Sequence, residues 1–114
     1  MDSDKYGVIK FTDVKTANGI HNTDSIRNSG IFTCENPGLY LISVYIQTNS
    51  THAQYNVNKN DHIIANGLSS ITDWYQTTSV TVIEHLTVND TISVNAYMYV
   101  FNGYESCITI LQIK

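Results

Sequence analysis

The sequence predicts an all-β fold of the β-sandwich or jelly-roll type. Its 114 residues are 42% hydrophobic and 14% charged, a balance that supports a packed core and excludes a disordered chain. Val, Ile, Thr and Tyr, which favour strands, outnumber the residues that helices prefer. Apolar and polar residues alternate with a period of two, and turn signals recur at the spacing of short strands. These observations together indicate one domain that spans residues 1–114.

The first half of the chain divides into strands at Gly, Asn and Pro residues. Asn18-Gly19, Ser29-Gly30 and Asn36-Pro37-Gly38 mark the first breaks, because these residue types favour sharp changes of direction. Asn60-Asp61 marks a later one. The strands that we expect between these breaks are 5–12, 19–26, 30–35, 39–48, 52–59 and 62–65.

The second half contains longer alternating runs. Asn89-Asp90 and Asn102-Gly103 separate three apolar segments that are rich in β-branched residues. Each segment is long enough to cross a sandwich and lacks the spacing of an amphipathic helix. The strands that we expect here are 76–86, 91–101 and 105–113.

Two of the predicted strands are apolar on both faces. Strand 39–48 carries Tyr40, Ile42, Val44 and Ile46 on one face and Leu39, Leu41 and Tyr45 on the other; strand 91–101 ends in three aromatic residues opposite an aliphatic face. A strand of this kind must be covered on both sides, and a chain this short builds two layers. We expect a second subunit to cover the remaining face, and the alternative is that loops cover it.

Charge and hydropathy exclude several classes of partner. The net charge is −4, and the six Lys and Arg residues form no basic run, so the chain has no footprint for nucleic acid or for an anionic membrane surface. No apolar stretch approaches the roughly 20 residues that cross a bilayer. The opening residues are acidic and polar, so we expect no secretory signal within this chain.

The cysteines and the glycosylation motifs give limited information. Cys34 and Cys107 lie far apart in apolar runs, which favours two buried free thiols over a disulfide bridge. Two Asn-x-Thr/Ser motifs occur, Asn49-Ser50-Thr51 and Asn89-Asp90-Thr91. Such triplets arise by chance in a chain rich in Asn and Thr, so they support secretion only weakly.

The sequence contains no catalytic constellation. His21, His52, His62 and His85 are isolated from one another, so no pair has the spacing of metal ligands, and no nucleophile elbow or phosphate-binding loop is present. We therefore expect neither an enzyme nor a cofactor, and no metal site within one chain. Calcium held between several chains would leave no mark in the sequence.

Four segments resemble the complement C1q globular-head family, which belongs to the C1q/tumour necrosis factor-like superfamily. The main one is Gly30-Ile31-Phe32-Thr33-Cys34, followed by Pro37-Gly38-Leu39-Tyr40. Val57–Asp61 and His85–Ile92 are similar to two further family segments, with Asp61 and Asn89 in place of glycine, and Ser106–Leu111 takes the place of the final strand. The resemblance covers nearly the whole chain and implies a ten-strand jelly roll, a compact homotrimer, secretion and a role in recognition. The collagen-like stalk of many members is absent from this chain.

The resemblance also implies where the subunits meet. Strands 39–48 and 91–101 correspond to strands that face the threefold axis of the family's trimers. The alternative is that some of their side chains fill the core of one chain. The residues that we expect at the trimer interface are Tyr40, Ile42, Val44, Tyr97, Tyr99 and Phe101.

The candidate ligand-binding residues lie in two turn-rich segments. Sugar recognition takes an exposed aromatic ring together with amide, hydroxyl and carboxylate partners, and Asp73-Trp74-Tyr75-Gln76 supplies most of these groups around the chain's one tryptophan. The alternative is that Trp74 anchors its loop to the sheet. Tyr104 and Glu105 form a second candidate loop.

The leading hypothesis is a secreted homotrimer that recognises carbohydrate or other microbial surface patterns in innate immunity, as stalkless members of this family do. One alternative is a protein ligand of the tumour-necrosis-factor type that engages receptors in the grooves between subunits. A second is a structural trimerisation head, including the tip of a microbial or phage fibre.

Overall fold

The structure, a computed structural model, describes residues 3–4, 7–11, 13–17, 23–48, 54–68, 76–96, 100–101 and 106–114. These residues form two β-sheets and one short helix, so the predicted all-β jelly-roll sandwich is confirmed. The elements are β1 (Ser3–Asp4), β2 (Gly7–Val8), β3 (Asp13–Ala17), α1 (Thr23–Ser29), β4 (Ile31–Thr33), β5 (Gly38–Thr48), β6 (Gln54–Lys59), β7 (His62–Leu68), β8 (Gln76–Leu86), β9 (Thr91–Ala96), β10 (Val100–Phe101) and β11 (Cys107–Gln112).

The first sheet is built around β5. This strand pairs antiparallel with β8 along its whole length, from Gly38 opposite Leu86 to Thr48 opposite Gln76. Its other edge pairs antiparallel with β11 and then with β10. Strand β3 adds to β11 in parallel, and β1 pairs with β10. The last strand, β11, therefore lies between β3 and β5.

The second sheet is built around β9. Strand β6 pairs with one edge of β9, and β4 and β2 share the other edge. Strand β7 pairs with β6 and has no further partner within this sheet; a bulge shifts the register between Val57 and Asn58. The two sheets are held together by their inward side chains.

The core contains residues from both sheets. In β5 the even-numbered side chains from Tyr40 to Thr48 are buried, while the odd-numbered ones are half-buried on the opposite face. The core of the described residues consists of Ile9, Phe11, Ile26, Phe32, Cys34, Tyr40, Ile42, Val44, Ile46, Tyr55, Val57, Leu86, Ile92, Val94, Ala96, Ile108 and Ile110.

This arrangement corrects three of the predicted interface residues. Tyr40, Ile42 and Val44 are at most 1% exposed in a single chain, so they cannot form the surface that meets another subunit. The alternative, that they fill the core of one chain, holds for these three. Tyr97 and Tyr99 lie outside the described residues, as does the side chain of Phe101, whose backbone pairs with Gln47.

The predicted strand 19–26 is wrong where it overlaps α1. The helix ends at Gly30, whose φ of +81° is a left-handed conformation that glycine adopts without strain. Its N–H group lies 3.1 Å from the Ser25 carbonyl oxygen and 2.9 Å from that of Ile26, and closes the last turn. A side chain at position 30 would also collide with the carbonyl oxygen of Ile9. Ser29-Gly30 is thus a helix end and not a break between two strands.

Strand β3 was missed by the sequence reasoning. Residues 13–17 are Asp, Val, Lys, Thr and Ala, so they lack a regular alternation of apolar and polar side chains. Val14 is half-buried. They pair with β11, which places Asp13 opposite Cys107, a residue more than ninety positions later in the sequence. Local periodicity cannot report a pairing of this kind.

Candidate functional site

The ends of several described strands define one end of the sandwich, which we call the loop end, and the four segments that connect them lie outside the described residues. Residues 49–53 join β5 to β6, and 69–75 join β7 to β8. Residues 97–99 and 102–105 precede and follow β10. In the first sheet the end of β5 pairs with the start of β8 and with β10, and in the second sheet the start of β6 pairs with the ends of β7 and β9. Both predicted ligand loops are among the four connecting segments.

The two predicted ligand loops are attached to opposite edges of β5. Gln76, at the start of β8, pairs with Thr48, and Phe101 pairs with Gln47 on the other edge. The backbone N–H of Gln47 donates a 3.1 Å hydrogen bond to the Oγ of Ser106, which is fully buried. Ser106 therefore fixes the end of the second loop to the central strand. The sequence indicated no role for this serine beyond membership of the predicted final strand, 105–113.

The predicted ligand residues themselves are not among the described side chains. Asp73, Trp74, Tyr75, Tyr104 and Glu105 lie outside the described residues. Gln76 is described as the first residue of β8, without its side chain. The backbone pairing of Gln76 and Phe101 and the hydrogen bond of Ser106 thus locate the residues that flank the two loops. The contribution of each side chain within the loops stays a prediction.

A buried tyrosine lies below the loop end. Tyr55, near the start of β6, is fully buried, and its hydroxyl oxygen forms no well-formed hydrogen bond among the described residues. Burial raises the pKa of Tyr55, and the side chain of Thr78 opposes that shift in part. The interior at this end therefore contains a neutral phenol.

The opposite end, which we call the turn end, is closed by hydrogen bonds. The Asp90 carboxylate accepts from the backbone N–H of Thr87 at 2.8 Å and from its hydroxyl at 3.0 Å. It also accepts from the side-chain amide of Asn60 at 2.8 Å. These bonds, the Thr87 backbone bond foremost and then that from Asn60, lower the pKa of Asp90. They join the β6–β7 turn to the β8–β9 turn.

A second set of contacts ties β4 and the start of β5 into the turn end. The Cys34 N–H donates to the Asp90 carbonyl at 2.8 Å, and the Asn89 N–H donates to the Cys34 carbonyl at 2.9 Å. The Tyr40 hydroxyl donates to the Asn36 carbonyl. Burial, and then the neighbouring Cys34 thiol, raise the pKa of Tyr40 to about 12. Cys34 and Cys107 are both buried and form no disulfide, which confirms that prediction.

The outward face of the first sheet is the other candidate surface, and it consists of the odd-numbered side chains of β5 with their neighbours on β8 and β11. Leu39, Leu41 and Tyr45 are half-buried there, and Ile83 and Ile113 are 55% and 48% exposed. Register places Leu41 between Ile83 and Leu111. The result is an aliphatic patch across three strands.

The signal for this face was present in the sequence. The odd-numbered face of β5 includes Ser43 and Gln47, while the even-numbered face is apolar from Tyr40 to Ile46. The more continuous apolar face packs against the other sheet because that environment is the drier one. The two-sided pattern was therefore recognised, but three residues of the inward face, Tyr40, Ile42 and Val44, were predicted at the subunit interface.

A lysine and a glutamate connect the two sheets. Lys59 lies 3.9 Å from Glu84, and its ammonium group donates to the His85 carbonyl at 2.9 Å, which links the two sheets near the turn end. Within the described residues, no group of three or more His, Cys, Asp or Glu side chains could hold a metal ion. Nor does any helix in that part of the chain have the length and hydropathy to cross a membrane.

Comparisons with known proteins agree with this architecture. The family model described as C1q domain matches residues 1–107. The globular domain of zebrafish complement 1qA superimposes with a TM-score of 0.60 at 11% identity, covering 85% of each chain. Murine APRIL at pH 5.0 gives 0.61 at 13% identity, covering 69% of this chain and 68% of its own. At pH 8.5 it gives 0.59 at 14%, covering 71% and 67%. No curated protein matched the sequence.

Proposed function

Because the chain belongs to the C1q domain family, we propose that it is a secreted, non-catalytic recognition domain that acts as a homotrimer. Its ligands are carbohydrates or other components of microbial surfaces, and its role is in innate immunity. Domains of this superfamily generally form trimers, bind other molecules without catalysis and are typically extracellular. The proposal treats residues 1–114 as one domain.

The observation that carries the trimer is the aliphatic outward face of the first sheet. Leu39, Leu41, Ile83 and Ile113 share this face, and no described element of the chain packs over it. An exposed apolar patch that crosses three strands favours association. A second and a third copy would cover it, and obligate interfaces of this kind bury more than about 2,000 Å². Tyr97, Tyr99 and Phe101 stay predicted members of the same interface.

Two exposed isoleucines allow a matched test of the trimer. Ile83 on β8 belongs to the outward face of the first sheet, while Ile63 on β7 is 61% exposed on the second sheet. Ile83→Asp would force an unpaired charge into the subunit contact, so we expect it to dissociate the trimer. Ile63→Asp should leave the trimer intact. Light scattering measures the mass, and a wild-type monomer at micromolar concentration would contradict the proposal.

The loop end is the surface that we assign to the ligand. The strands that flank its connecting segments pair with both edges of β5. The predicted ligand residues in or next to these segments are Asp73, Trp74, Tyr75, Gln76, Tyr104 and Glu105. An aromatic ring beside amides and carboxylates suits a sugar's apolar face and its hydroxyl groups. Three such ends in one trimer would raise a weak affinity through effective concentration.

A panel of immobilised glycans tests the ligand assignment. We expect the intact trimer to bind some members, and Trp74→Ala to lose binding without a change in mass. Val88→Ala, at an exposed position of the turn end, is the matched control and should bind normally. Repeating the panel with a chelator tests for calcium held between chains. A stable trimer that binds no glycan would contradict the ligand and favour a structural trimerisation head or a receptor ligand.

A further inference from the structure

The β8–β9 turn contains Asn89, whose side chain takes no part in the hydrogen bonds described above for this turn. Asn89 is exposed, and its backbone has a φ of +75°. The turn is held by the Asp90 carboxylate, by Thr87 and Asn60, and by the backbone N–H of Asn89. What the fold requires at this position is a residue that tolerates a left-handed backbone, and glycine would serve at least as well.

Asn89 begins one of the two Asn-x-Thr/Ser motifs in the chain. From its exposure and its place in the fold, we propose that Asn89 is an acceptor for an N-linked oligosaccharide. The Nδ2 atom of Asn89 would form a bond to the anomeric carbon of a sugar carried on a lipid pyrophosphate. The bond between that carbon and the lipid pyrophosphate breaks, and one amide proton is released. This inference rests on the secretion included in the proposed function.

The order of the strands leaves residues 89–91 accessible while the protein is being synthesised. Strand β11 lies between β3 and β5, so the first sheet closes only after residue 112 has been synthesised. The motif at 89–91 therefore emerges before the domain can fold, when Thr91 has not yet formed its 3.3 Å hydrogen bond to Asn60 Oδ1. A transferase that reads extended chain would meet it unfolded.

The folded domain has room for the product. Asn89 lies at the turn end, whereas both candidate ligand loops belong to the loop end. Asn89 follows the end of β8 by three residues, so a glycan there would start from the turn between β8 and β9 and not from a sheet face. The other motif, Asn49-Ser50-Thr51, directly follows Thr48 at the loop end. Occupancy of Asn89 therefore leaves the proposed ligand surface free.

The experiment expresses the chain behind a cleavable secretory leader in cultured animal cells, with Asn49→Gln and Asn49→Gln/Asn89→Gly variants. Glycine keeps the left-handed backbone of the turn, so the double variant should fold. We expect Asn49→Gln to show a gel shift that peptide N-glycosidase removes and that the double variant lacks. In wild-type protein, peptide mapping after that enzyme should find aspartate at position 89.

Secreted wild-type protein with unmodified asparagine at position 89 would overturn the inference. Because the leader supplies secretion, the result does not depend on the native location of the protein. Light scattering and the glycan panel test the proposed function separately. A modified Asn89 on a monomer that binds nothing would overturn the proposed function and leave the glycosylation site standing.

Discussion

Tyr55 and Gly67 face each other across β6 and β7, and the aromatic ring lies where any other residue at position 67 would place its Cβ. The ring is fully buried between the sheets, so it has no free space to move into. Glycine in a strand interior often marks a close approach of this kind. The pair fixes how β7 lies against the core at the loop end.

Replacing Gly67 by alanine should therefore destabilise the fold. We expect Gly67→Ala to lower the free energy of unfolding by about 1–3 kcal/mol, as overpacking of a close-packed interior does. Urea unfolding measures the change. Leu68→Ala, at the neighbouring and 66% exposed position, is the control and should change stability by less than about 0.5 kcal/mol. Equal stability of Gly67→Ala and wild type would show that the ring can move.

The two buried tyrosines should respond differently to loss of their hydroxyls. The Tyr40 hydroxyl donates to the Asn36 carbonyl, whereas the Tyr55 hydroxyl forms no well-formed hydrogen bond within the described part of the chain. Tyr40→Phe should cost about 0.5–1.5 kcal/mol of unfolding free energy. Tyr55→Phe should be neutral or stabilising, because it removes an unsatisfied buried group. Thermal and urea unfolding compare the two variants, and a larger loss for Tyr55→Phe would reveal a hydrogen bond at that hydroxyl.

Asp90 should make the turn end sensitive to acid. Its pKa lies below the ordinary 3.8 because Thr87 and Asn60 donate hydrogen bonds to the charged form. A carboxyl whose folded pKa is lowered adds stability above about pH 4, and this contribution is lost as the pH falls through the folded pKa. Asp90→Asn should therefore be less stable than wild type at pH 7, and the difference should shrink in acid.

Urea unfolding at several pH values measures this difference. Asp24→Asn is a suitable control, because the Asp24 side chain is 91% exposed and its 3.7 Å contact with Arg27 lies on the helix surface. Exposed pairs of this kind contribute little. A constant difference between Asp90→Asn and wild type from neutral to acid pH would mean that the carboxylate charge does not hold the turns together.

The β6–β7 turn should tolerate glycine better than the residue it has. Asn60 and Asp61 have φ values of 51° and 71°, the pattern of a tight hairpin turn with two left-handed residues. Asp61→Gly relieves the cost of a side chain in this conformation and should add up to about 1 kcal/mol of stability. Gly30→Ala, which places a side chain at another left-handed position, should do the reverse. Thermal unfolding of both variants checks the signs.

The sequence predicted the positions of the strands more accurately than it predicted which face of a strand packs in the core. Alternation located β8 at 76–86 and β5 to within one residue, because these long strands bury one continuous apolar face. It could not find β3, whose pairing with β11 is nonlocal, or α1, whose short length leaves little periodicity. The two faces of β5 were both recognised as apolar, but the choice between core and surface depends on Ser43 and Gln47.

The candidate site was predictable in part for a similar reason. Turn residues in the sequence located the loops that contain Trp74 and Tyr104. The strands that flank these loops then pair with β5 near its last residues. The anchor Ser106 could not be predicted, because its role depends on a hydrogen bond to Gln47, nearly sixty residues earlier in the chain. Local patterns identify segments, and long-range register decides which segments meet.

The hydrogen bonds around Asp90 connect three separate chain reversals at the turn end, and none of them involves a residue of the loop end. The framework can therefore keep its shape while segments 49–53, 69–75 and 102–105 accumulate changes in length and composition. Such a domain can be diversified as immune repertoires are, by changes in the loop-end segments while the turn end is kept constant. Grafting foreign segments between Thr48 and Gln54, or between Leu68 and Gln76, should give folded variants.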